Sequence, residues 1–177
     1  MATLLALLLG LIAEAGPVSG IPAPPAGNYE AELSKLAADR AKAEIVHQLD
    51  AVLRDPSSSA SDKAEAKSRV EGARLKLAIY TTDRSLEETI AFYTGKVPGA
   101  AFLTAERNIL IDLQELAEIG KFTVPPATAR EWKGKSGRTA RWTREDQMLQ
   151  ISVEDYLIDP RDGKVAKKTV VLVSAFG

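Results

Sequence analysis

The apolar residues of this chain change their spacing twice. From residue 29 to residue 55 they recur at helical intervals: Tyr29, Leu33, Leu36 and Ala37 share one stripe, which Leu49, Val52 and Leu53 continue imperfectly. Pro56 ends that helix, and SSSAS is a loop. Ser61 is placed to cap a second helix, DKAEAKSRVEG, with Glu65 near its first turn and Gly72 as its stop. Both stretches are rich in alanine and charge and poor in large apolar groups. They read as a helical hairpin that leans on another body.

From residue 73 the period becomes two. ARLKLAIYTT puts Leu75, Leu77 and Ile79 on one face of a half-buried strand. Ser85 and Glu88 then have the spacing of a capping box, in which each side chain satisfies the other residue's backbone N–H. The helix that follows sets Leu86, Ile90 and Tyr93 on one side, and Gly95 is free to take the left-handed position that stops it. NILIDLQ, residues 108–114, predicts a strand, and PPATAREWKGKSG a loop with at most one helical turn. Near the C-terminus Leu149, Ile151 and Val153 alternate on one strand, and Val171, Val173 and Ala175 on the next. DPRDG supplies the turn chemistry between them. The predicted class is α+β: an N-terminal helical hairpin plus a mainly antiparallel sheet with one packed helix, residues 86–94.

Residues 2–13 form an apolar run, followed by Glu14, small residues and Pro17. Its length suits the core of a secretory leader and falls short of the roughly 20 residues that a membrane span needs. Ala13 with Ala15 offers one cleavage site, and Val18 with Gly20 a second, although no Lys or Arg precedes the run. The organisation expected is a leader or anchor at 1–20, a Pro-rich linker at 21–28, a helical hairpin at 29–72 and an α+β domain at 73–177. That predicts an exported protein, periplasmic or extracellular. An uncleaved anchor formed by residues 2–20 is the alternative.

Composition narrows the chemistry. A chain without cysteine has no disulfide, thiolate metal site or cysteine nucleophile, and one histidine, His47, rules out a multi-histidine metal site. The net charge of -1 gives no overall pull toward nucleic acid or anionic membranes. Glu87 and Glu88 have a dipole role at a helix start. The neighbours Glu145 and Asp146, like Glu154 and Asp155, point to opposite faces when on a strand, so neither pair converges on one atom. No serine has a nucleophile-elbow context, and GKSG lacks the surroundings of a phosphate loop. Nothing in the sequence calls for a cofactor, a metal or an enzymatic activity.

One segment stands apart. Residues 130–144 carry Arg130, Lys133, Lys135, Arg138, Arg141 and Arg144 against Glu131 alone, with Trp132 and Trp142 interleaved. Cations among flat aromatic faces suit an anionic ligand, a membrane surface or an acidic protein partner. A solvated loop whose tryptophans pack on the sheet accounts for the same residues. Nucleic acid is not expected, because no nucleic-acid motif accompanies the segment.

Two resemblances add to this reading. TTDRSLEETIAFYTGKVPG is similar to the strand-turn-helix near the start of glyoxalase-like, vicinal-oxygen-chelate domains, with Phe92 and Tyr93 before a glycine-ended helix. His47 lies outside the matching region, so that likeness implies the fold and a small-molecule-binding shape without the metal chemistry. Over residues 75–173 the order of YTTD, SLEETIAFY, LQISVEDYLIDPRDGK and KKTVVLVSA resembles a group of small exported bacterial α+β domains of uncharacterised function. That resemblance implies export and no established catalytic residues. The function expected is a non-enzymatic exported binding or accessory protein, acting through protein–protein or anionic-ligand contacts. The alternatives are a membrane-anchored accessory subunit of a larger complex and a glyoxalase-like small-molecule-binding protein.

Overall fold

The structure is a computed structural model that describes residues 11–120, 122–144 and 148–177. Most of the apolar N-terminal run, residues 1–10, and the Glu145–Asp146 pair lie outside the described residues. Strands β1 (Ile12–Ala15) and β2 (Asn28–Tyr29) precede helices α1 (Ala31–Arg54) and α2 (Ala60–Val70). Next come β3 (Arg74–Thr82), α3 (Leu86–Tyr93), β4 (Ala101–Asn108), α4 (Ile109–Gly120) and α5 (Pro126–Trp132). Strands β5 (Ser136–Arg144) and β6 (Leu149–Glu154), a small hairpin of β7 (Leu157–Ile158) and β8 (Val165–Ala166), and β9 (Thr169–Phe176) complete the chain. Among the described residues this is an α+β fold with five helices and a seven-stranded, mainly antiparallel sheet.

The sheet runs β1-β3-β9-β6-β5-β4, with β2 also paired to β3. Only β1 lies parallel to its neighbour. Expectation and structure agree at β6 and β9, which pair antiparallel with Ile151 opposite Val173 and Val153 opposite Val171. They agree again at α3, where the Glu88 N–H donates to Ser85 Oγ (3.2 Å) and the Ser85 N–H to Glu88 Oε2 (2.9 Å). Gly95 has φ of 80° and ends that helix.

Four local expectations are corrected. Residues 109–114 are helical, not a strand; β4 ends at Asn108, whose Oδ1 accepts from the N–H groups of Leu110 (3.0 Å) and Ile111 (3.3 Å). Ile109, Leu113 and Ala117, four residues apart, are the buried face of α4, and a short apolar run does not by itself separate that spacing from a strand. Residues 126–132 form a full helix, with Pro126 at a first-turn position where its missing N–H costs nothing. Ser59, not Ser61, caps α2, because Asp62 lies three residues on and its carboxylate reaches back to the Ser59 N–H (2.9 Å). Finally, β3 is buried on both faces from Leu77 to Thr82, since α3 covers one side of the sheet and α1 the other, so α3 is not the sheet's single packed helix.

The α3 face is filled. Ala78, Tyr80, Ala140, Trp142, Ile151, Val153, Val171 and Val173 form one cluster with Leu86, Tyr93 and Val97. Val18 and Ile21 join it, the Tyr93 hydroxyl donates to the Pro22 carbonyl (3.0 Å), and Thr82 Oγ1 donates to the Pro25 carbonyl (2.8 Å). The segment before α1 is thereby strapped along the sheet.

On the opposite face α1 is fastened at its start. Between the stretches paired with β1 and β2, Ile79 has no strand partner on that edge. Ser34 Oγ accepts the Ile79 N–H (2.8 Å) while donating to the Glu30 carbonyl (2.7 Å), and the Glu30 N–H donates to the Ile79 carbonyl (2.9 Å). A fully buried serine thus completes the ladder and sets the height of the helix above the sheet. Beyond the sheet α1 runs on to Leu49 beside α2, which buries no residue of its own. No helix among the described residues is long and apolar enough to cross a membrane.

Candidate functional site

The register of the sheet decides what lies beneath α1. Leu77 and Ile79 of β3 sit beside Ser174 and Leu172 of β9, and Ser152 of β6 lies opposite Leu172. Across the next ladder Arg141 faces Ser152, Thr143 faces Gln150, and Thr139 faces Glu154. One sheet face therefore passes from apolar at β3 and β9 to polar at β6 and β5. Leu33, Ala37 and Ala41 of α1 stand over its apolar end, and Leu116 of α4 faces in from the side. They leave a cavity of about 570 Å³ between helix and sheet, within the usual range for small-molecule sites.

Polar side chains gather at one end. Arg107 at the end of β4 donates to Asp112 of α4 through Nε (3.0 Å) and Nη2 (2.6 Å), and its guanidinium lies 3.8 Å from Glu115. Tyr156 donates its phenol to the other Asp112 oxygen. Burial, followed by that bond, pushes the phenol well above its ordinary range, so Tyr156 stays protonated. Gly137 makes the arrangement possible, because a Cβ there would overlap the Tyr156 ring. The ring also closes a small cluster with Ile109 and Trp132.

Two buried groups on this face of β5 have no hydrogen-bond partner among the described residues. Arg141 Nε is shut off from solvent and donates to nothing among the described residues. Thr139 Oγ1, two residues back on the same face, is likewise buried and unbonded. Glu154, diagonal to Arg141 across the β5–β6 ladder, presents its carboxyl to the cavity without an ion pair to Arg141. Burial raises the Glu154 carboxyl above the usual carboxylate range, against the opposing pull of Arg107 and Arg141.

The hairpin of β7 and β8 walls the cavity with Leu157, Ile158 and Pro160. It is tied to α1 twice: Arg40 donates to the Pro160 carbonyl (3.1 Å), and Arg161 bridges Asp159 (2.5 Å) and Glu32 (3.0 Å). No protein-family model, curated protein or solved structure matches this chain.

The basic, tryptophan-containing segment does not form one surface. Trp132 is buried against Ile109 and Tyr156, with Lys135 Nζ 4.6 Å from its ring centre. Trp142 is buried on the α3 face, 5.9 Å from Tyr93 and 4.9 Å from Phe102 between ring centres. Arg130 lies exposed on α5, donating to the Pro126 carbonyl (3.3 Å), and Lys133 is exposed just after that helix. Arg138 bridges Glu87 (2.6 Å) and Asp155 (3.5 Å) near the start of α3, and Arg144 borders a separate recess lined by Lys96, Val97 and Leu149. Arg141 alone of the eight lines the cavity. Arg107, Asp112, Gln150, Ser152 and Tyr156, which complete the polar end, escaped the sequence reading. The available signal was the wholly polar alternate set Gln150, Ser152, Glu154, opposite the apolar set Leu149, Ile151, Val153.

Proposed function

We propose that the protein is a non-enzymatic binding domain that holds a small amphipathic molecule between α1 and the sheet. The observation that carries this reading is the cavity of about 570 Å³ whose walls grade from Leu33, Ile79 and Leu172 to Arg141 and Glu154. A core built for stability alone is close-packed, and a buried donor left without an acceptor, such as Arg141 Nε, is costly. Here both departures from that rule occur in one place. Binding without catalysis accords with the polar groups themselves, because Tyr156, Asp112 and Arg107 are held by one another. Helix α1, read as the first arm of an N-terminal hairpin, supplies the roof of the site. Export, inferred from the apolar run at residues 1–20, belongs to the same proposal; cleavage before residue 16 removes β1 from the edge of β3, and cleavage before residue 21 removes Val18 from the core as well. Sequencing the N-terminus of protein recovered from its native host tests it, a start at residue 16 or 21 supporting cleavage and an intact apolar run opposing it.

A neutral environment-sensitive dye, N-phenyl-naphthylamine, tests the cavity. Its fluorescence should rise and saturate at one molecule per chain. Filling variants that keep their circular dichroism, Leu172→Trp from the sheet and Ala41→Phe from the roof, should lose that signal. A signal that never saturates, or that both filled variants retain, would overturn the reading.

A further inference from the structure

Resting on the cavity reading, we infer that the ligand is an apolar monocarboxylate whose head is received by Arg141 and whose body lies toward β3 and β9. The cations around the polar end differ in what holds them. Arg107 is committed to Asp112 and lies near Glu115, and Arg40 is turned to the Pro160 carbonyl. Among the lining residues Arg141 is the cation left without a partner.

Arg141 and Glu154 are both unpaired, yet they are not equivalent. A buried carboxyl relieves its own desolvation by keeping a proton, and the surroundings of Glu154 act in that direction. Arginine has no such escape, since its guanidinium stays charged in proteins. The site therefore demands an anion more strongly than it demands a cation. A carboxylate meets the planar fork of donors.

The surroundings also limit the charge of the head. Asp112 and Glu115 of α4, Glu44 of α1 and Glu154 of β6 line the same cavity, so a doubly charged phosphate would face four carboxyl groups with one free guanidinium to hold it. A single negative charge suits that balance. The apolar end, from Leu33 and Ile79 to Val170 and Leu172, offers no partner to a second polar group.

The test uses the full-length protein and displacement of N-phenyl-naphthylamine by matched heads on one body: decanoate, decanol and decylammonium at neutral pH. Decanoate should displace the dye about tenfold or more better than decanol, the difference expected of a charge-assisted hydrogen bond, and decylammonium should be weakest. A parallel set on a naphthalene body, carboxylate against alcohol, distinguishes an aromatic acid from an alkyl acid; a carboxylate preference on either body supports the inference. In Arg141→Gln the carboxylate-to-alcohol ratio should fall to near one, and Arg141→Lys should restore part of it. If the dye binds saturably but alcohol or ammonium heads match or exceed carboxylates on both bodies, the monocarboxylate assignment is wrong and the cavity reading stands. If the dye does not bind saturably, both fall together.

Discussion

The two faces of the sheet are made by alternate residues of the same strands, yet they are built to different standards. On the α3 side Trp142, Ile151, Val153, Val171 and Val173 interlock with Tyr93, and the five strand residues are all nearly or fully buried. On the α1 side their neighbours Arg141, Gln150, Ser152, Glu154 and Leu172 border a cavity. The filled face carries the close packing on which stability depends. The open face gives up that packing and leaves the buried Arg141 Nε without a partner. One backbone thus serves as a wall on one side and a floor on the other.

The sharpest way to break this comparison is to truncate one residue from each face. Trp142→Ala should cost about 3–5 kcal/mol in urea denaturation, as large core aromatics do, whereas Leu172→Ala, already beside empty space, should cost less than about 2 kcal/mol. Equal losses would mean that the faces do not differ. Gly137→Ala should follow at about 1–3 kcal/mol, because the added Cβ and the Tyr156 ring claim the same space. Its near-ultraviolet dichroism should change with it, as the tyrosine is pushed from Asp112. Ser34→Ala leaves the Ile79 N–H without an acceptor, with an expected loss of about 1–2 kcal/mol and faster amide exchange at Ile79.

The smallest effect concerns pH. The folded protein keeps the Glu154 proton to higher pH than the unfolded chain does. Stability from this group therefore falls as pH rises through the ordinary carboxylate range, and levels off once the folded-state carboxyl is ionised. Glu154→Gln lacks that fall. It should melt at a higher temperature than the native chain at neutral pH, with the advantage shrinking on acidification. An advantage that grows with acid would contradict the assignment of Glu154 to a desolvated position.

What the chain discloses in advance is whatever depends on neighbours in sequence. Ser85 and Glu88 are three residues apart, Gly95 lies just past a helix end, and the strands around Ile151 and Val173 alternate cleanly. The switch from β4 to α4 is less open to reading. Asn108 caps that helix through its side chain, but Ile109, Leu110 and Ile111 are consecutive apolar residues that suit either element. The site is hidden for a different reason. Its polar end draws Arg107, Asp112, Arg141, Glu154 and Tyr156 from three strands, a helix and a connection. The polar alternation of β6 reads as a solvent face until a helix more than a hundred residues earlier is laid across it. The rule that Glu154 and Asp155 point apart is sound, and Asp155 indeed turns to the Arg138 N–H (2.8 Å). What that rule does not reveal is which side chains from other strands Glu154 meets instead.

The fastening of α1 has a consequence for traffic. Its first turn is stitched to β3 through Ser34, whereas the stretch near Leu49 is braced by α2, a helix with no buried residue. Displacing the first turn breaks the hydrogen bond that completes the sheet's ladder at Ile79. A guest entering from the Glu44 side of the roof would leave the Ser34–Ile79 hydrogen bond intact.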